Sequence, residues 1–148
     1  MISAYKISDE ASKFIKSESL NCFPKETGGI LVGAIENNCV IIQHAVGPGP
    51  TATHKHARFK RDGNYSQETL DRFVQKSQGK YDYIGEWHSH PVHSPPSRVD
   101  IDSMIWIASN KVYDIDEPIL LICVGPSRWI FQCFSLTEKK LKLLKRRR

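Results

Sequence analysis

Residues 88 to 100, His-Ser-His-Pro-Val-His-Ser-Pro-Pro-Ser-Arg-Val-Asp, place two imidazoles, a carboxylate and a hydroxyl at spacings that suit a hydrolytic zinc site. The run before them holds Tyr81, Tyr83, Ile84 and Trp87, aromatic and β-branched side chains that favour extended backbone. Along a strand, residues two apart share a face, so His88 and His90 project together and can reach one ion at about 2.0 to 2.1 Å. Pro91 ends the ladder and opens a loop through Pro95 and Pro96, after which Asp100 supplies a third ligand. Three protein ligands leave one tetrahedral position for water, and zinc lowers the pKa of that water from 15.7 to roughly 7, making hydroxide available at neutral pH. A closed structural site would need a fourth side chain. Cys22, Cys39, Cys123 and Cys133 contain no C-x-x-C pair to provide one, and His93, the nearest spare, reads more simply as an exposed loop residue.

Ser97-x-x-Asp100 is equally a helix start, with Ser97 as N-cap ahead of Ile101, Met104, Ile105 and Ala108 at helical spacing. The two readings are compatible, because a capped helix fixes the direction of its carboxylate. Capping is then the way the ligand is positioned.

Glu26, His88-Ser-His90-Pro91 and Ser97-x-x-Asp100 together resemble the JAMM (MPN+) family of zinc metallopeptidases, which includes deubiquitinases. Glu26-Thr-Gly-Gly-Ile-Leu-Val-Gly33, Gly47-Pro-Gly-Pro-Thr-Ala-Thr-His54 and Gly85-Glu-Trp-His-Ser-His-Pro91 are similar to its compact bacterial branch, found beside antiviral CBASS and ubiquitin-like conjugation genes. The likeness runs to about residue 135. It implies His88, His90 and Asp100 as zinc ligands, Glu26 as general base and Ser97 as donor to the developing oxyanion, roles that fit the chemistry of amide hydrolysis. It also implies an MPN or cytidine-deaminase-like architecture, a ubiquitin-like protein or its conjugate as substrate, and E1- or E2-like partner proteins. Spacing alone would nominate Glu86 as the base, since it lies two residues before His88. The resemblance overrules it, because eukaryotic relatives usually carry an aromatic residue there. Glu86 is left as a partner to a histidine or, more simply, a solvated strand-end charge. Six residues separate His90 from Ser97, one fewer than the eukaryotic pattern, and Trp87 directly precedes the first ligand.

At 148 residues, 40% hydrophobic and 25% charged, the chain describes one globular domain with room for a core. Its longest apolar runs, such as Ile119 to Val124, are too short to span a bilayer, and Met1-Ile-Ser-Ala-Tyr-Lys lacks a secretory leader pattern, so a cytoplasmic location is expected. The four cysteines are expected as free thiols, mostly buried in apolar runs. A strand is expected near residues 2 to 7, a helix from Asp9 to Ser19, and strands Gly28 to Glu36 and Cys39 to Val46 turning at Asn37-Asn38. A helix with Leu70, Phe73 and Val74 as its apolar stripe precedes the histidine strand. After the Asp100 helix, strands Ile119 to Val124 and Trp129 to Phe134 flank Gly125-Pro126. Interleaved helices and strands of this kind predict an α/β (α+β) fold, a mixed, mainly antiparallel curved sheet flanked by helices.

Between Gly47 and Asp62 lie His54, Lys55, His56, Arg58, Lys60 and Arg61. His54 and His56 repeat the His-x-His spacing, but nothing nearby completes a metal set, and a solvated loop is the better reading. In the resembling family this segment borders the substrate cleft, so Arg58→Glu is expected to weaken cleavage and leave zinc in place. Residues 138 to 148 hold seven basic side chains against Glu138 alone, a net of six positive charges; the whole chain carries +5, which leaves residues 1 to 137 at −1. The domain is therefore expected over 1–137, followed by a basic tail, 138–148, read as a frayed, solvated terminus, with nucleic acid and membrane not expected as partners. Amide hydrolysis after the C-terminal glycine of a ubiquitin-like modifier is the leading function. The alternatives are processing of a sulfur-carrier protein, a non-catalytic scaffold of the same fold, and a nucleic-acid binder acting through the tail.

Overall fold

The computed structural model of the protein describes residues 1–54 and 59–148. Among the described residues, ten strands and three helices follow one another as β1 (Ala4–Ile7), α1 (Asp9–Cys22), β2 (Gly28–Glu36), β3 (Cys39–Ala45), β4 (Thr53–His54), β5 (Phe59–Lys60), α2 (Gly63–Lys76), β6 (Asp82–His90), α3 (Arg98–Ser109), β7 (Ile119–Val124), β8 (Ile130–Thr137), β9 (Lys140–Leu143) and β10 (Lys145–Arg146). Each helix begins where a side chain can satisfy an orphan N–H: the Ser8 hydroxyl accepts from Ala11 N, and the Asp62 carboxylate from Tyr65 N. Asn37 and Asn38 both adopt positive φ, 50° and 63°, as a two-residue turn between β2 and β3 requires.

Eight strands form one mixed sheet in the order β10-β1-β3-β2-β6-β7-β8-β9, while β4 and β5 pair separately. β1 runs parallel to β3 and β10, and β6 parallel to β7; the other ladders of the large sheet are antiparallel. Helices cover both faces. Ala11 and Ile15 of α1 enter a core with Leu31, Ile42, Trp87, Ile119 and Leu121, whereas Met104 and Ile107 of α3 pack on Leu120, Ile122 and Phe134. Leu70 and Phe73 of α2 close over Ile30 and Val32. Successive residues of β7 thus feed opposite cores, which is why that strand reads as an unbroken apolar run instead of alternating.

The basic C-terminal segment departs from expectation. Residues 140 to 146 are not a frayed tail: β9 pairs with β8 at one end of the sheet and β10 with β1 at the other, so the same few residues draw the two ends together. Leu144 between them is buried in the α1 core, and its N–H donates to the Cys133 carbonyl at 2.8 Å. Two leucines and a ladder outweigh the repulsion among cations that can all point to water. A domain limit at residue 137 would cut this hairpin at its turn. All four cysteines are free thiols, three of them buried. Among the described residues, no helix is long and apolar enough to cross a membrane.

Two glycines, one on β2 and one on β6, allow close backbone approach. A Cβ on Gly29 would lie 1.9 Å from the Val46 carbonyl oxygen, and one on Gly85, at φ +153°, 1.9 Å from that of Ile119. At Gly85 the register between β2 and β6 shifts, passing from Leu31↔Gly85 to Val32↔Tyr83, so Ile84 is an extra residue and resets which face the following side chains take. Gly29→Ala is expected to lower stability by about 3 kcal/mol in denaturant titration, since only backbone movement relieves the contact; an unchanged midpoint would contradict the packing described.

Candidate functional site

Strand alternation after the Gly85 bulge sends Trp87 and Ser89 toward α1 and His88 and His90 toward α3. Trp87 is fully buried, and its indole N–H donates to the Val46 carbonyl at 2.9 Å, which fixes the strand's rotation about its own axis. The two imidazoles lie 5.0 Å apart at their centroids and 29° from coplanar, with their Nε2 atoms 3.1 Å apart. Asp100 reaches them from the first turn of α3. Its Oδ1 is 3.2 Å from His88 Nε2 and its Oδ2 3.5 Å from His90 Nε2.

The carboxylate arrives there because of a complete capping box. Ser97 N donates to Asp100 Oδ2 at 2.7 Å, and Asp100 N donates to Ser97 Oγ at 3.1 Å. The helix start and the ligand expected from the sequence are therefore the same structure. Burial disfavours the Asp100 charge, but hydrogen bonds from His88 and His90, their charges and the Ser97 N–H more than offset it and hold the carboxyl far below its usual range. For His90, burial likewise opposes the cation, and the hydrogen bond and charge of Asp100 turn the net shift upward. His90 Nδ1 faces the Ser94 carbonyl at 3.4 Å, a contact that favours the tautomer with its Nε2 lone pair turned to the other two groups.

The ligand atoms that the three residues offer lie within 4.8 Å of one another, with the two Nε2 atoms 3.1 Å apart and each 3.2 to 3.5 Å from one oxygen of the Asp100 carboxylate, close to the roughly 3.3 Å that separates tetrahedral ligands held at about 2.0 to 2.1 Å from a divalent ion. Among the described residues these three form the group of histidine, cysteine and carboxylate side chains able to hold a metal. Their composition, two nitrogens and one oxygen, fits a borderline metal with an open position. They line one side of a cavity of about 890 Å³ that also receives Glu26, Ser97 and Arg61.

Glu26 precedes β2, whose register with β6 pairs Gly28 with His88. Ser89 N donates to the Thr27 carbonyl at 2.8 Å and Thr27 N to Ser89 Oγ at 3.0 Å, extending that pairing and setting Glu26 across from His90. Burial raises the Glu26 carboxyl above its ordinary value, the two histidines oppose the shift and the Asp100 charge adds to it. His93 is exposed and takes no part in the lining.

Three neighbours escaped the sequence reading. Ser89, wholly buried between the two histidines, is a polar residue at an inward strand position, and that was a readable signal. His54 is half-buried, and its Nδ1 lies 2.9 Å from the Glu26 carbonyl oxygen, so a solvated loop does not describe it. Lys55, His56 and Arg58 lie outside the described residues. Glu86 is not solvated, and among the described residues it has no histidine partner: its carboxylate accepts from Arg61 Nε at 3.0 Å and from the Tyr83 hydroxyl. The physical reason is burial, since a carboxylate on the cavity face of β6 must be neutralised, and Arg61 leads into α2 directly above it.

Compared with known proteins, residues 11–136 match the family described as prokaryotic homologs of the JAB domain. A protein of Escherichia coli (strain TW11681) named CD-NTase/cGAS isopeptidase is 33% identical over 119 residues, covering 79% of this chain and 73% of that protein. A protein of Sinorhizobium fredii named probable metalloprotease y4qB is 31% identical over 110 residues, covering 71% of this chain and 66% of that one. The solution structure of protein DSY2949 from Desulfitobacterium hafniense shares the fold at a TM-score of 0.70 and 15% identity, over 96% of this chain and 90% of its own.

Ser97→Ala removes the hydroxyl that accepts from Asp100 N while the backbone N–H that holds the carboxylate remains, and is expected to weaken divalent-metal affinity up to about tenfold by loosening the first turn of α3 and to lower stability by about 1 kcal/mol through the lost cap. Titration calorimetry and thermal unfolding would check both; metal affinity equal to that of the unaltered chain would show that the cap does not orient the ligand.

Proposed function

Because the chain belongs to the prokaryotic homologs of the JAB domain, we propose that it is a zinc-dependent isopeptidase or peptidase cutting after the C-terminal glycine of a ubiquitin-like modifier. The reading is supported chiefly by one observation: a base, a hydroxyl and a two-imidazole, one-carboxylate donor set share a single cavity. Relatives named isopeptidase and metalloprotease support amide hydrolysis as the chemistry.

His88, His90 and Asp100 would hold the zinc. When bound, zinc supplies Lewis acidity toward a carbonyl oxygen and makes a nearby water more acidic. Glu26 serves as general base: its carboxylate removes a proton from the water whose oxygen attacks the scissile carbonyl, and returns that proton to the departing amine as the C–N bond breaks. Burial raises its carboxyl above the ordinary carboxylate value, which makes the ionised form a stronger base toward that water. Ser97 spends a lone pair on Asp100 N, which leaves its hydroxyl proton to donate to the oxyanion as charge develops. Lys60 borders the same cavity, and Arg61 beside it is paired with Glu86. The names of the relatives place their own substrates among CD-NTase conjugates, and a conjugate of that class, formed by E1- and E2-like partners in a cytoplasmic antiviral system, is the substrate proposed here.

The test incubates zinc-loaded protein with a ubiquitin-like fusion, comparing Glu26→Gln with the unaltered chain. Cleavage after the terminal glycine is expected, with kcat lower by about 100-fold or more in the variant at unchanged metal content. Full turnover by Glu26→Gln would remove Glu26 from its role, and cleavage of sulfur-carrier fusions alone would reassign the substrate.

A further inference from the structure

The C-terminal strands carry a feature that the hydrolytic site does not use. Lys139, Lys140, Lys142, Lys145, Arg146, Arg147 and Arg148 are all exposed, yet the backbone beneath them is tied down. β9 is laddered to β8, Lys145 N donates to the Ser3 carbonyl at 3.2 Å, and Arg147 N to the Tyr5 carbonyl at 2.8 Å. The backbone that carries these cations is therefore fixed, not a fluctuating tail, and on β9 Lys140 and Lys142 share a face. From Lys140 to Arg147 the segment spans up to about 24 Å at the rise of a strand.

Helix α1 adds to it. Lys16 Nζ lies 5.1 Å from the centre of the Phe131 ring and the Arg146 guanidinium 5.8 Å from it, so one aromatic ring holds a cation of α1 beside one of β10. Among the described residues, none of these cations has an ion-pair partner. Lys142 Nζ donates to the Met1 sulfur at 3.3 Å. With the first 137 residues near neutral in sum, the chain's net positive charge comes from this C-terminal segment.

The geometry points to this segment, β9 and β10 with Lys16 beside them, as a binding surface for the phosphodiester backbone of a nucleic acid. A narrow cationic segment fits a linear polyanion better than the broad plane of a lipid surface, and consecutive arginines suit phosphate oxygens through paired N–H donors. Because the segment is already ordered, binding need not pay for fixing the chain. Phosphate contact carries no sequence information, so the binding should be non-specific and salt-sensitive. None of these residues lines the catalytic cavity, so the surface stands or falls apart from the peptidase reading.

Fluorescence anisotropy of the full chain tests it, using labelled single-stranded DNA, a duplex of equal length and an RNA, with anionic vesicles and polyglutamate as competitors. Four phosphate contacts would give a slope near −3.6 for log K against log salt, or about a 100-fold weakening between roughly 50 and 200 mM salt. The triple variant Lys142→Glu, Lys145→Glu, Arg147→Glu should bind at least about tenfold more weakly while keeping its metal content and thermal midpoint. Should charge reversal prevent folding, the glutamine triple at the same positions gives the same readout. Preference among the three nucleic acids identifies the polymer. Absence of binding at low salt, undiminished binding by a folded variant, or stronger competition by polyglutamate or vesicles than by nucleic acid would overturn the proposal.

Discussion

The candidate site depends on β6 being unable to rotate. Its neighbours β2 and β7 hold it on both edges, and its two faces look into different cores, so each side chain has one permitted direction. Trp87 goes to the α1 core and hydrogen-bonds Val46; that commitment leaves His88 and His90 nowhere to point except the cavity under α3. The bulge at Ile84–Gly85 is part of the same constraint, because without it the residues beyond would take the opposite faces. The ligand geometry is thus a consequence of packing several residues away from it.

Electrostatics completes what the strand begins. Two imidazole nitrogens 3.1 Å apart, facing a carboxylate, are a poor arrangement for water-free packing and a good one around a cation. The capping box reduces the cost of burying Asp100 by giving its carboxylate the backbone N–H of Ser97, at the place where the side chain also faces both histidines. Nearby, Arg61 neutralises Glu86 and the Tyr83 hydroxyl donates to it, so the second carboxylate of the cavity is already partnered.

The histidine pair and Asp100 were legible in the sequence because both obey local rules, period-two alternation and helix capping, that need no knowledge of distant residues. The hairpin at Asn37-Asn38 and the unbroken apolar strand at Ile119 were legible for the same reason. The rest depends on partners far along the chain. Whether Glu86 is solvated is decided by Arg61, 25 residues earlier, and whether His54 belongs to a loop or to the site is decided by the Glu26 carbonyl, 28 residues away. The basic C-terminal stretch misled for a further reason. Its charge dominates its composition, whereas its fold is set by Leu141 and Leu144, which alternate out of the charged pattern into two separate cores.

The most direct measurement of the central claim is anomalous diffraction at the zinc absorption edge from crystals grown with the metal, alongside elemental analysis of the same material. One zinc per chain is expected, bound by His88 Nε2, His90 Nε2 and an Asp100 oxygen, with its fourth position open to solvent. An ion bound elsewhere, or a fourth ligand supplied by the protein, would contradict the account.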